Sequence, residues 1–316
     1  MEGFPGRRRL LAAVQLTRRV LWESRRIALE RSFTFWQTLG VHVTPNHYYG
    51  PVPDTRHLPA SLWSQRLQSP GVDMRDAEQV ALLQTFASSF RAEYGTFPMS
   101  PHAGMGKYYV KNGMFESVDG EILYCMIRHF RPKRLIEVGA GISTVLSAQA
   151  VLRNASDGDP CEFVSIDPFP TSSLQAGLDG LSELLAKPVQ EVGLDGFMQL
   201  ARNDILFIDS SHVVRIGGDV LYELLEILPQ LAVGVVVHLH DIFMPAEYPK
   251  NWVLKNKRFW SEQYLLQAFL AFNKDFEVLW GSSYMHLMHP EMLEAAFPSY
   301  RRDRWWPASF WIRRVA

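Results

Sequence analysis

The chain has 316 residues, 47% hydrophobic and 21% charged, with a net charge of -1 and a sequence isoelectric point of about 6.8. That balance is one of a globular enzyme with room for one large core and a smaller appendage, and it excludes a molecule-wide basic surface for nucleic acid. Two cysteines, Cys125 and Cys161, exclude a disulfide framework and a cysteine-based zinc site and predict a reducing, cytoplasmic setting.

The first 31 residues carry Arg7, Arg8, Arg9, Arg18, Arg19, Arg25, Arg26 and Arg31 against Glu2, Glu23 and Glu30, with Leu10, Leu11, Val14, Leu21 and Ile27 between them. Two readings stay open: a peripheral helix for an anionic membrane surface or a targeting peptide, or a solvated amphipathic helix packed on the domain or on a partner subunit, as in a homo-oligomer. Arginines interrupt every candidate secretory core, and the longest apolar runs, such as 231–237, fall far short of the roughly 20 residues that span a bilayer. Residues 40–101 are punctuated by Pro45, Pro51, Pro53, Pro59 and Pro70 and predict an irregular cap around one helix at 76–94. The polar and aromatic stretch 46–54 either reaches over a substrate or is a proline-stiffened packing loop. We place the N-terminal helix and cap at residues 1–104 and the main domain at 105–316.

From Ser117 onward, helical periodicity alternates with short β-branched apolar runs, the pattern of βαβ units around a parallel sheet. A helix is predicted at 119–130 and strands at 134–138, 162–166, 189–192, 205–209, 233–240, 276–280 and 309–315, with a helix at 261–272. The fold class expected is therefore α/β, a doubly wound, mostly parallel seven-stranded sheet. The loop after the fifth strand, 240–263, is long enough to act as a substrate lid. An insert rich in arginine and tryptophan, 300–306, precedes the last strand and can serve as a further wall or as an oligomer contact.

Arg134-Leu-Ile-Glu137-Val-Gly139-Ala-Gly141-Ile-Ser143-Thr144 is an apolar strand running into a glycine turn that opens a helix. Glycines let backbone approach a ligand closely, and the helix start offers free N–H groups to an anion. A dinucleotide site asks for a third glycine where Thr144 stands, which argues against NAD. A second acidic residue, Asp167, ends the next strand, where a carboxylate can accept hydrogen bonds from both hydroxyls of a ribose.

This pattern resembles motif I and the ribose-binding acid of the class I S-adenosylmethionine-dependent methyltransferases, over residues 105–316. The resemblance implies that Glu137, Gly139, Gly141, Ser143, Thr144, Asp167 and Asp209 bind S-adenosylmethionine, with 191–195 near the adenine. Asp209-Ser-Ser-His212 after the fourth strand and His240-Asp241 after the fifth bring acids and histidines to the same sheet edge, and resemble the catechol-type O-methyltransferases, which hold magnesium there. It implies a divalent metal at Asp209, His240 and Asp241, with His212, His240 and Asp241 as catalytic groups. Histidines also suit iron or zinc, or a general base without metal. His238, on the same strand as His240, is expected to hydrogen-bond within the core.

The reaction these residues predict is methyl transfer to an oxygen, less favourably a nitrogen, of a small metabolite, saccharide or lipid-linked glycan. Two rivals stay open: metal-dependent chemistry on S-adenosylmethionine other than methylation, and a non-catalytic binding protein that keeps the fold.

Overall fold

A computed structural model describes residues 5–64, 68–101 and 107–316, and of 5–15 and 18 the backbone alone. The chain forms two compact units, Met1–Leu62 and Trp63–Ala316. The boundary placed at residues 104 and 105, and the side chains of Arg7, Arg8, Arg9, Leu10, Leu11, Val14 and Arg18, lie outside the described residues. The first unit carries a long helix, α1 (Pro5–Thr38), on whose surface Arg19–Glu23 and Arg26–Glu30 pair one turn apart at 3.2 Å. Its 46–57 segment closes on Asp54, which accepts from Asn46 Nδ2 at 2.9 Å and pairs with Arg56. No helix among the described residues is long and apolar enough to cross a membrane.

The second unit opens with α2 (Asp76–Tyr94) and α3 (Asp119–Phe130), then runs β1 (Arg134–Val138), α4 (Ile142–Ser156), β2 (Glu162–Ile166), α5 (Ser172–Gln175), β3 (Glu183–Leu185), α6 (Leu194–Phe197) and β4 (Ile205–Ile208). There follow α7 (Asp219–Tyr222), β5 (Val236–Leu239), α8 (Lys250–Leu254), α9 (Glu262–Leu270), β6 (Phe276–Gly281), α10 (Ser282–Met288), α11 (Pro290–Ala296) and β7 (Phe310–Arg314). The seven strands lie in the order β3-β2-β1-β4-β5-β7-β6, parallel except for β7, which is antiparallel to both neighbours. Successive residues of a strand point to opposite faces. Thus Leu135, Ile205 and Phe207 join the core under α2, α3 and α4, while Ile136, Leu206 and Ile208 join the core under α7 and α9. Coverage on both faces explains why these strands read as unbroken apolar runs.

The third strand is a correction. Residues 189–191 form a short 3-10 turn, and β3 is Glu183–Leu185, paired in parallel with β2. Glu-Leu-Leu-Ala favours a helix by propensity, and the pairing with Val164–Ile166 overrides it. Pro188, with no N–H to give to a ladder, keeps 189–192 out of the sheet.

Asp204 anchors the start of β4 to β1. It is buried, and its carboxylate accepts the backbone N–H of Lys133, Arg134 and Ala201, each at 2.9 Å. Removing the acceptor leaves three donors without a partner, so Asp204→Ala is expected to lower the unfolding free energy by about 3 kcal/mol or more. Urea denaturation reads this directly, and an unchanged midpoint would contradict it.

Candidate active site

The strand order reverses between β1 and its two neighbours β2 and β4, and the crevice at such a switch point, beyond the carboxyl ends of the strands, is where doubly wound sheets bind ligands. The glycine turn lies there. Gly139 has φ +91, and a β-carbon on it would collide with the carbonyl oxygen of Asp209, so glycine is required twice over. Gly141 has nothing within 4 Å of where its β-carbon would be, which leaves the backbone open to a ligand. Thr144 closes the turn, its Oγ1 accepting the Gly141 N–H at 2.8 Å. Asp167 braces it from β2, with one oxygen on the Ala140 N–H at 2.8 Å and the other on the Phe169 N–H at 2.6 Å.

Two cavities adjoin the turn. One of about 200 Å³ is bordered by Gly139, Gly141, Ser143, Asp167 and Asp209, and one of about 490 Å³ by Gly139, Asp167, Phe169, Gln190 and Asp209. Open backbone at Gly141 and a carboxylate at the end of β2, together with this space, fit S-adenosylmethionine. Glu137 and Thr144 border none of these cavities. Glu137 is fully buried on the α4 side of β1, where Ser143 donates to it at 2.7 Å and Ser165 at 3.2 Å. Burial pushes its pKa up to about 8 against those hydrogen bonds. Its side chain therefore shapes the turn from behind, through Ser143, rather than facing the space a ligand would fill.

The acids and histidines of β4 and β5 converge beside the turn, in a third cavity of about 570 Å³. His212 Nε2 lies 3.3 Å from Asp209 Oδ1 and 3.6 Å from Asp241 Oδ2. His240 Nδ1 lies 3.4 Å and 3.7 Å from the same two oxygens. These spacings are longer than a good hydrogen bond; 3.3 and 3.4 Å fall within, and 3.6 and 3.7 Å just beyond, the roughly 3–3.5 Å between neighbouring ligand atoms around an ion with bonds near 2.0–2.2 Å. Asp209, His240 and Asp241 each offer a donor atom within 4.8 Å of the others, a group that can hold a metal.

The outer nitrogens face carboxylates. His212 Nδ1 bonds Glu262 at 2.8 Å, and His240 Nε2 lies 3.7 Å from Asp119, which fixes the inner nitrogens toward Asp209 and Asp241. Two residues here, His212 at φ +59 and Asp241 at φ +55, hold a backbone conformation uncommon outside glycine. Burial would lower the His212 pKa, but hydrogen bonds to Asp209 and Glu262 push it up to about 10. Burial would raise Asp209, but His240 and His212 hold it well below the usual carboxylate range. The cluster thus has an excess of acid that draws in positive charge.

Asp119 enters the sequence reading only as the first residue of the helix at 119–130, and Glu262 only within the candidate lid loop at 240–263. Each is an acidic residue in the first turn of a helix, a placement the helix dipole favours everywhere, so nothing in the sequence marked either as the partner of a histidine. His238 behaves as expected: it is fully buried, stacks on Phe207 with centroids 4.0 Å apart and shares a hydrogen bond with Ser309 at 2.9 Å. The loop after β5 and the 300–306 insert both line the third cavity, through Phe243, Trp252, Arg258, Trp260, Arg304 and Trp306. Asp209 borders all three cavities, so the space beside the turn and the space beside the histidines share a wall.

Residues 136–242 match a family described as a methyltransferase domain. A protein of Archaeoglobus fulgidus, itself uncharacterised, is 27% identical over 194 residues, covering 59% of this chain and 86% of that protein. Among solved structures, the chain is similar to an apo form of CmcI, at 15% identity and TM-score 0.36, covering 71% of this chain and 84% of that one. It is similar also to the O-methyltransferase from Bacillus cereus in complex with SAH, at 12% identity and TM-score 0.35, covering 76% and 91%. At these scores the structural likenesses carry no weight of their own. The glycine turn that opens on the β1/β4 switch point lies inside the segment that matches the methyltransferase domain.

Proposed function

We propose that the chain transfers the methyl group of S-adenosylmethionine to an oxygen of a small metabolite or saccharide, free or lipid-linked, at the edge formed by Asp209, His212, His240 and Asp241. The observation that carries this reading is the convergence of those four side chains on one point, 3.3–3.7 Å apart, against the wall that Asp209 shares with the glycine turn. Gly139, Gly141 and Ser143 would border the methionine end of the cofactor and Asp167 its ribose. The sulfonium supplies its own driving force, so the chain's work is to align oxygen, methyl carbon and sulfur, exclude water and take up a proton.

Asp209, His240 and Asp241 would hold a divalent ion, which when bound orients an acceptor oxygen and stabilises its deprotonated form. His212 is the group placed to accept the acceptor's proton. Glu262 holds its Nδ1, so its Nε2 faces the cluster, and the carboxylate stabilises the imidazolium that forms. A divalent ion beside Asp209 and Asp241 would disfavour a further positive charge on His212 and so favour its neutral, basic form.

The test needs no acceptor. Protein treated with chelator is expected to take up one divalent ion per chain by calorimetry, and Asp209→Ala to abolish that uptake while the far-UV spectrum stays unchanged. Uptake of magnesium supports the proposal. Purified protein that carries iron would favour redox chemistry of the same cofactor, and equal uptake by Asp209→Ala would remove the metal from this edge.

A further inference from the structure

The 570 Å³ cavity has the size of a small-molecule site, and beyond its acids and histidines its lining changes in kind. Trp252, Trp260 and Trp306 border it together with Arg258 and Arg304. The Arg258 guanidinium lies 4.7 Å from the Trp252 ring centroid and 4.9 Å from that of Trp260. The Trp260 ring in turn packs 4.4 Å from the ring of His212, so one indole touches both the guanidinium and the histidine.

Elsewhere in this unit Arg75, Arg128, Arg134 and Arg313 each meet a carboxylate. Arg258 and Arg304 meet none among the described residues, although acids line the same cavity at Glu116, Asp119, Asp209 and Asp241. The exposed Arg258 guanidinium lies over two indoles, and a guanidinium stacked on ring faces keeps its in-plane N–H fork for a bidentate anion. The cavity is therefore bipolar, with acids and the proposed ion at one part of its wall and cationic, aromatic groups at another.

We propose that the methyl acceptor carries an anionic group, a carboxylate or a phosphate, about one ring away from the hydroxyl that is methylated, and that Arg258, with Arg304, selects for it. This rests on the reading of the Asp209–Asp241 edge as the methyl-accepting one. The bipolar lining sets the acceptor's direction: the Arg258 fork holds its anion, which leaves the hydroxyl toward the proposed ion and His212.

Equilibrium binding separates the sources of the anion. Glucuronate and 3,4-dihydroxybenzoate present a carboxylate and glucose 6-phosphate a phosphate, with glucose and catechol as the neutral parents. Binding is followed by tryptophan fluorescence with S-adenosylhomocysteine present. At least one anionic compound is expected to bind about tenfold or more tightly than its parent, the change that one charge-assisted contact makes. Arg258→Gln is expected to erase that preference with S-adenosylhomocysteine affinity unchanged, and Arg258→Lys, a point charge without the fork, to restore part of it. The proposal is overturned if no anionic compound exceeds its parent, including no binding of any at roughly 10 mM, or if the preference survives Arg258→Gln and Arg304→Gln combined. Failure of the underlying reading looks different, since Asp241→Ala and His240→Ala would then keep full methyl transfer while any anion preference stayed with Arg258.

Discussion

Asp241→Ala and His240→Ala are each expected to lower methyl-transfer turnover by about a hundredfold or more, the usual scale for losing a group that handles a proton or holds the reacting oxygen. Affinity for S-adenosylmethionine should change little, because neither side chain borders the cavities beside the glycine turn. Both residues stand at the end of β5, and His240 Nδ1 lies 3.4 Å from Asp209 and 3.7 Å from Asp241. Alanine keeps a β-carbon at φ +55 and loses the polar side chain that tolerates it, so the Asp241→Ala melting temperature is measured alongside, and the kinetic defect is read as chemistry where the fold is retained. Single-turnover measurement with labelled cofactor separates the step from binding. Full activity in both variants would move acceptor activation away from this edge.

His212→Gln offers the contrast within the same cluster. Glutamine can still meet Glu262 but cannot take a proton, so a variant that takes up the divalent ion normally and turns over slowly would assign the base to His212 rather than to a ligand.

Much of this architecture was legible because local and global signals agreed. The helices at 76–94 and 119–130 and the strands at 134–138 and 162–166 fall where periodicity placed them, since each is long enough, or apolar enough on both faces, for burial to decide. At β3, a three-residue edge strand, a helical propensity stood against a pairing that only the neighbouring strand reveals. The site was legible in the same proportion. Gly139, Asp209, His212, His240 and Asp241 sit at strand ends, so the order of strands carries them to one edge. Asp119 and Glu262 arrive from the first turns of α3 and α9, and whether such an acid caps a helix or faces a histidine depends on packing across the sheet edge. Trp252, Trp260, Arg258 and Arg304 come from a loop and an insert, where no period relates one residue to the next.

Gly139→Val is the substitution expected to do the most damage, because the residue serves two sites at once. At φ +91 a β-branched side chain is strained by its own backbone, at a cost of order 1–3 kcal/mol. Its β-carbon would also overlap the Asp209 carbonyl oxygen, whose backbone is tied to β1 by the Asp209 N–H donating to the Val138 carbonyl at 2.8 Å. The strand end therefore cannot yield without breaking a sheet contact, and the displacement passes to the Asp209 carboxylate. Calorimetry should show S-adenosylmethionine binding abolished and divalent-ion uptake weakened in the same variant, with the far-UV spectrum close to that of the parent. A variant that loses the cofactor but binds the ion as before would mean that the turn and the β4 edge are independent, and that the wall the cavities share at Asp209 does not couple them.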